Sequence, residues 1–205
     1  MRQIVGPSPS ARVCAAIVAL AAFGGLGLQF LISLHTDGSA AAAIWGMLRY
    51  FTMISNFLAL LIFAAIALGV RRAFDPRLLA GAALVLALVG IVYVTLLRES
   101  LVGVRWYANA LLHYAVPLLI IAYWAVFAPK GYLRRGDPAR WAAVPLAYFV
   151  YAILRASFDG RYAYPFIDVA TLGWTQVVLN VAGIAACFLL AGLALVGLDR
   201  RLSSR

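Results

Sequence analysis

The chain has 205 residues, of which 65% are apolar and only 12% charged, with a mean hydropathy of +0.97. Soluble domains run about 45–50% apolar and about 25% charged. A soluble globular fold, a disordered chain, a disulfide-rich secreted scaffold and a nucleic-acid module with a water-facing basic face are therefore excluded. The net charge of +10 sits in short clusters between long apolar runs, the pattern of an integral membrane protein. The mass of 22.1 kDa predicts a single domain spanning 1–205.

Six runs meet the length set by a bilayer core of roughly 30 Å at roughly 1.5 Å per helical residue. They lie at about 13–34, 45–70, 78–97, 107–128, 139–157 and 173–198. The runs are Ala/Leu-rich without period-2 alternation, so the expected class is all-α, a polytopic bundle of six transmembrane helices. Arg2 and Arg12 ahead of the first run give it a signal-peptide flavour, with Ala40-Ala41-Ala42 as a weak cleavage site. Its roughly 22 apolar residues exceed the usual 7–15 of such a segment, so a retained helix is expected. Pro117 and Pro145 lie inside spans and predict kinks. Gly24, Gly25, Gly27 and Gly183 suit close helix packing.

Charge predicts the orientation. A cytoplasmic N-terminus puts Arg2, Arg12, Arg71, Arg72, Arg77, Lys130, Arg134, Arg135, Arg140, Arg200, Arg201 and Arg205 inside. Only Arg49, Arg98, Arg105, Arg155 and Arg161 then lie outside. The positive-inside rule places both termini in the cytoplasm. Trp45, Trp106, Tyr107, Tyr162, Tyr164 and Trp174 gather near the outer interface. The basic balance thus follows from orientation and anionic headgroups, and no nucleic-acid partner is expected.

Polar groups within the spans share one depth. Gln29, Thr52, Thr95, His113, Arg155 and Asn180 each stand about 22–29 Å above the inner boundary before tilt. Asn56 and Asn109 bracket that layer, whereas the inner half offers only thiols and phenols such as Tyr123 and Tyr148. Arg155 follows Arg140 by only roughly 21 Å of helix, so it is either at a thinned outer interface or inside the bundle facing a cavity. Arg49, Thr52 and Asn56 fall on one stripe of the second span, with Ser55 beside it. Asn109 lies one turn before His113 on the same face, where its amide is placed to orient the imidazole. His35 and Asp37 are expected as solvated residues of the first outer loop.

A hydroxyl beside an imidazole is the minimum for acyl transfer: the imidazole takes the hydroxyl proton during attack and returns it to the leaving oxygen. Thr52 and His113 are the candidate pair, with Asn56, Ser55 or Arg155 as oxyanion donors. Arg49 or Arg155 would receive a substrate carboxylate. Glu99 and Asp168 are candidate partners for Arg98, Arg155 or Arg161, or an orienter for His113. The chain carries no GxSxG or HExxH motif and no Cys/His metal constellation, so neither a metal nor another cofactor is expected. Intramembrane His and Arg also mark transport paths, and a layer of this kind can simply tie helices together. A one-sided layer without two matching broken helices speaks against a carrier.

The segment Tyr50-Phe51-Thr52-Met53-Ile54-Ser55-Asn56, followed by His113-Tyr114-Ala115-Val116-Pro117 on a fourth helix, resembles bacterial relatives of the androgen-induced gene family. The stretch Tyr162-Ala163-Tyr164-Pro165-Phe166-Ile167-Asp168-Val169 resembles a segment of the same branch. Animal members of that family include multi-pass membrane threonine hydrolases that cleave fatty acid esters of hydroxy fatty acids. The resemblance implies Thr52 as nucleophile and His113 as its base. It further implies a lipid ester substrate and a bacterial cell membrane location, with membrane lipids as partners.

Overall fold

The computed structural model describes residues 6–203, which form helices joined by short turns, with no strand among the described residues. Arg2 and Arg205, counted above with the cytoplasmic charges, lie outside them. The helices in chain order are α1 (Pro9–Asp37), α2 (Ala40–Met47), α3 (Phe51–Ala67), α4 (Pro76–Val92), α5 (Val104–Ala110), α6 (Val116–Phe127), α7 (Asp137–Asp159) and α8 (Val169–Ser203). A π-helical turn, Tyr93–Leu97, extends α4, and another, Leu111–Ala115, joins α5 to α6. Ser8, Ser39 and Asp75 side chains accept the first free amides of α1, α2 and α4, which is why these helices begin where they do.

Five helical segments are long and apolar enough to cross a membrane, and the pair α2–α3 brings the number to six if it counts as one crossing. The exterior is correspondingly apolar, with Leu20 and Phe23 on α1, Leu118 and Val126 on α6 and Leu190 on α8 all exposed. A water-soluble bundle would bury such a belt; here it matches the hydrocarbon of a bilayer.

The expected second span, 45–70, is not one straight helix. α2 meets α3 at 98°, and the break itself, residues 48–50, holds neither Gly nor Pro. What replaces the helical hydrogen bonds is a row of side chains from α7. Tyr148 donates to the Arg49 carbonyl at 2.7 Å, Tyr151 to the Leu48 carbonyl at 3.1 Å, and Arg155 to the Trp45 carbonyl. Positions 148, 151 and 155 follow the three–four spacing of one helix face, so α7 supplies the donors that a continuing helix would have supplied. Arg49 consequently precedes α3, and the stripe drawn above reduces to Thr52 and Asn56. The Tyr148 hydroxyl reaches the Thr52 end of the bundle, although its backbone position suggested the opposite half.

α1 packs along α3, and α4 along α6, around a core that includes Val18, Phe63, Ile66, Leu86 and Ile120. α7 and α8 pair on the flank of α4, joined to the 160–168 connection by Ala152, Ala163, Ile167 and Val177. One end of the bundle is bolted by charge. The Asp199 carboxylate accepts the Gly131 and Leu133 amides at 2.9 and 3.0 Å, and Lys130 donates to the last carbonyls of α6. Arg12 donates to the Ala67 carbonyl at the same end. His35 and Asp37 prolong α1 by a turn and are exposed. Of the four glycines assigned to close packing, Gly25 lies against Leu112, whereas Gly27 and Gly183 face open space.

Candidate active site

Two local irregularities bring Thr52 and His113 together. The first is the bend before α3, which places Thr52 at the second position of that helix. The second is the π-helical turn carrying His113. There the Val116 amide bonds back to the Leu111 carbonyl rather than to that of Leu112. Pro117, one residue on, has no amide to give the His113 carbonyl. Two successive carbonyls are thereby released from the helix. Asn56 of α3 takes the first, its amide donating to Leu112 at 3.2 Å and to the Thr52 carbonyl at 2.9 Å. The second faces α4 at Gly90, where a methyl group would stand 3.0 Å from the His113 oxygen. π turns concentrate at functional positions because they release backbone groups and re-aim side chains; both consequences are present here.

Thr52 Oγ1 lies 3.2 Å from His113 Nε2. On the other side of the ring, Nδ1 faces the backbone carbonyl of Asn109 at 3.3 Å. A carbonyl can only accept, so the proton resides on Nδ1 and Nε2 offers its lone pair to the threonine hydroxyl. The ring is also stacked on Tyr93, with centroids 4.1 Å apart. Asn109 thus orients the imidazole through its main chain. Its side-chain amide, to which that role fell above, instead donates to the Tyr93 hydroxyl at 2.8 Å, fixing the stacked ring.

The other expected members are placed elsewhere. Ser55 donates to the Phe51 and Thr52 carbonyls of its own helix at 2.8 and 3.2 Å. Asn56 is fully buried, both amide hydrogens are committed to carbonyls, and its Oδ1 has no partner. Arg155 lies inside the bundle at 4% exposure rather than at a thinned interface. It stacks on Trp45 and bonds the Tyr151 hydroxyl and Asp159. Arg49 makes a two-pronged ion pair with Asp159 at 3.0 and 2.8 Å. Asp168 bonds the Thr171 amide and hydroxyl at the start of α8 and does not reach His113. Of the wider layer, Thr95 bonds its own helix and Asn180 bonds the Phe166 carbonyl.

Asp159 escaped the sequence reading because the span was ended two residues earlier. The i,i+4 spacing Arg155–Asp159 was the available signal. Tyr164 was also missed, absorbed into the interfacial aromatics. Its hydroxyl accepts the Phe51 amide at 2.9 Å and stands beside the hydroxyls of Thr52 and Tyr148. It supplies the acceptor that Tyr50, the residue preceding α3, does not.

Thr52, His113, Tyr148 and Tyr164 line a narrow cavity of about 100 Å³. Its other walls are apolar and include Leu88 and Val92 from α4, Pro145 and Phe149 from α7, and Ile184 and Phe188 from α8. On the far side of Tyr93 an open cleft is lined by Arg98, Glu99 and Asn109. Among the described residues no three His, Cys, Asp or Glu side chains gather as metal ligands would. No family model matches this chain, nor does any curated protein or solved structure.

Proposed function

We propose that this protein is an intramembrane hydrolase of lipid esters, with Thr52 as nucleophile and His113 as general base. The observation that carries the reading is the geometry around the imidazole: Nδ1 faces the Asn109 carbonyl at 3.3 Å and Nε2 lies 3.2 Å from the threonine hydroxyl, which assigns the proton to Nδ1 and the basic lone pair to Nε2. The cavity supports it, because the pair lines it and its other walls are apolar, as an acyl chain requires. The resemblance to the androgen-induced gene family points to the same two residues.

Thr52 Oγ1 bonds to the ester carbonyl carbon as its proton passes to His113 Nε2, and the carbonyl electron pair moves to oxygen. When the tetrahedral species collapses, the ester C–O bond breaks and Nε2–H protonates the departing alkoxide. Water, deprotonated by His113, then releases the acid from Thr52. Ester and water become acid and alcohol, and the enzyme is restored. The chain sits in this proposal as a multi-pass protein of a bacterial cell membrane, with both termini cytoplasmic and the pair toward the outer leaflet.

The test is hydrolysis of a long-chain fatty acid ester of a secondary alcohol by the purified protein in detergent. Thr52→Ala and His113→Ala are each expected to lower kcat by about 1,000-fold or more while the bundle stays folded. Undiminished hydrolysis by either variant would refute the assignment.

A further inference from the structure

Acyl transfer needs a donor for the oxyanion, and the side chains beside Thr52 have largely spent theirs. Asn56 gives both amide hydrogens to carbonyls, and Ser55 gives its proton to its own helix. Arg155 is held at Trp45, Tyr151 and Asp159. Tyr148 lines the cavity, but its proton goes to the Arg49 carbonyl.

Tyr164 differs. Its oxygen accepts the Phe51 amide at the positive end of α3. An oxygen that receives a helix amide directs its own hydrogen away from that helix, and the received bond strengthens it as a donor. Its hydroxyl neighbours are those of Thr52 and Tyr148, and all three residues line the cavity. Thr52 gives its proton to His113 and Tyr148 gives its own to the Arg49 carbonyl, so the acceptor left to the Tyr164 hydrogen at rest is the Thr52 oxygen, from which it can turn to an oxyanion that forms beside it.

We infer that Tyr164 is a catalytic residue, whose hydroxyl donates to the oxyanion formed when Thr52 attacks an ester in this cavity. The inference rests on the hydrolase reading above. In the attack the carbonyl electron pair moves onto oxygen, which accepts the Tyr164 O–H; the phenol keeps its proton throughout. When the carbonyl re-forms and the alcohol departs, that bond weakens again. The contribution therefore falls on kcat, not on ground-state binding.

Tyr164→Phe in the full-length purified protein is expected to lower kcat by about 100- to 1,000-fold with KM changed less than about threefold. A long-chain alkyl trifluoromethyl ketone, which forms a tetrahedral adduct with a nucleophile, should lose affinity by a similar factor. A role confined to holding the start of α3 would not single out the adduct. If Tyr164→Phe does not fold, 3-fluorotyrosine at 164 keeps the amide bond and makes the phenol a stronger donor. It is expected to raise affinity for the ketone, and unchanged affinity would overturn the inference. Thr52→Ala inactive while Tyr164→Phe keeps wild-type kcat and ketone affinity would overturn this inference alone. Thr52→Ala as active as wild type would remove the hydrolase reading, and this inference with it.

Discussion

Replacing Asn56 by Leu separates the stability of the bundle from the geometry of the Thr52–His113 pair. The substitution removes a donor that bonds the Leu112 carbonyl at 3.2 Å and the Thr52 carbonyl at 2.9 Å. The Thr52 carbonyl keeps its helical partner, the main-chain amide of residue 56. The Leu112 carbonyl has been released by the π turn and is stranded, at a cost of about 1–3 kcal/mol. The same change deletes Asn56 Oδ1, which is buried without a partner, and relieves a penalty of the same order. The two effects oppose, so Asn56→Leu is expected within about 1 kcal/mol of wild type in thermal unfolding in detergent. Activity should respond differently. Besides the Thr52–His113 contact itself, Asn56 ties the helix carrying Thr52 to the turn carrying His113. A displacement of about 1 Å between reacting groups costs about 100-fold, so kcat/KM should fall by at least 10-fold. Asn56→Asp points a carboxylate at two carbonyl oxygens in a fully buried site and should destabilise by several kcal/mol. Full activity in Asn56→Leu together with a stability loss above about 2 kcal/mol would refute the reasoning, because the tie would then hold the bundle and not the pair.

Further outcomes are expected elsewhere. Asp159→Asn leaves Arg49 and the buried Arg155 without their shared carboxylate, so the melting temperature should fall by several degrees, more than for Asp168→Asn at the start of α8. Gly90→Ala puts a methyl 3.0 Å from the His113 carbonyl; stability should drop by about 1–3 kcal/mol and hydrolysis by roughly 10-fold, read by parallel unfolding and kinetic assays. Lys130 lies outside the spans, and burial lowers its pKa from the ordinary 10.5 despite the opposing pull of Asp199. Between the two pKa values the unfolded chain binds more protons, so this group's contribution to stability rises with pH through the window that ends at 10.5. The difference in melting temperature between wild type and Lys130→Met, followed from about pH 8 to about pH 11, should move in favour of wild type.

The candidate pair was legible because hydropathy sets depth: a hydroxyl and an imidazole held at one level of two apolar helices had few ways to avoid each other. The assignments that failed did so for want of partners. Arg155 was expected at a thinned interface or facing a cavity, yet it is satisfied by a backbone carbonyl beside a bend whose residues 48–50 include neither Gly nor Pro. Asn56 and Ser55 were chosen as oxyanion donors by residue type, but whether a donor is spent depends on which carbonyls the folded backbone exposes. Tyr164 was hidden in a connection, where a tyrosine reads as an interfacial anchor until the start of α3 is seen to lie under its hydroxyl. Periodicity reports which face of a helix is apolar; it does not report which helical hydrogen bonds are missing.

The turn at Leu111–Ala115 holds one residue more than an α-helical path would need. One residue of α-helix corresponds to a rotation of about 100°. A single deletion within α5 would let this stretch relax into continuous α-helix, closing the Leu112 carbonyl onto the Val116 amide, leaving that of His113 open at Pro117, and swinging His113 off the line to Thr52. Substitutions along the same stretch keep the count, and with it the aim. The pairing of Thr52 with His113 is therefore written in the number of residues before Pro117 as much as in their identity.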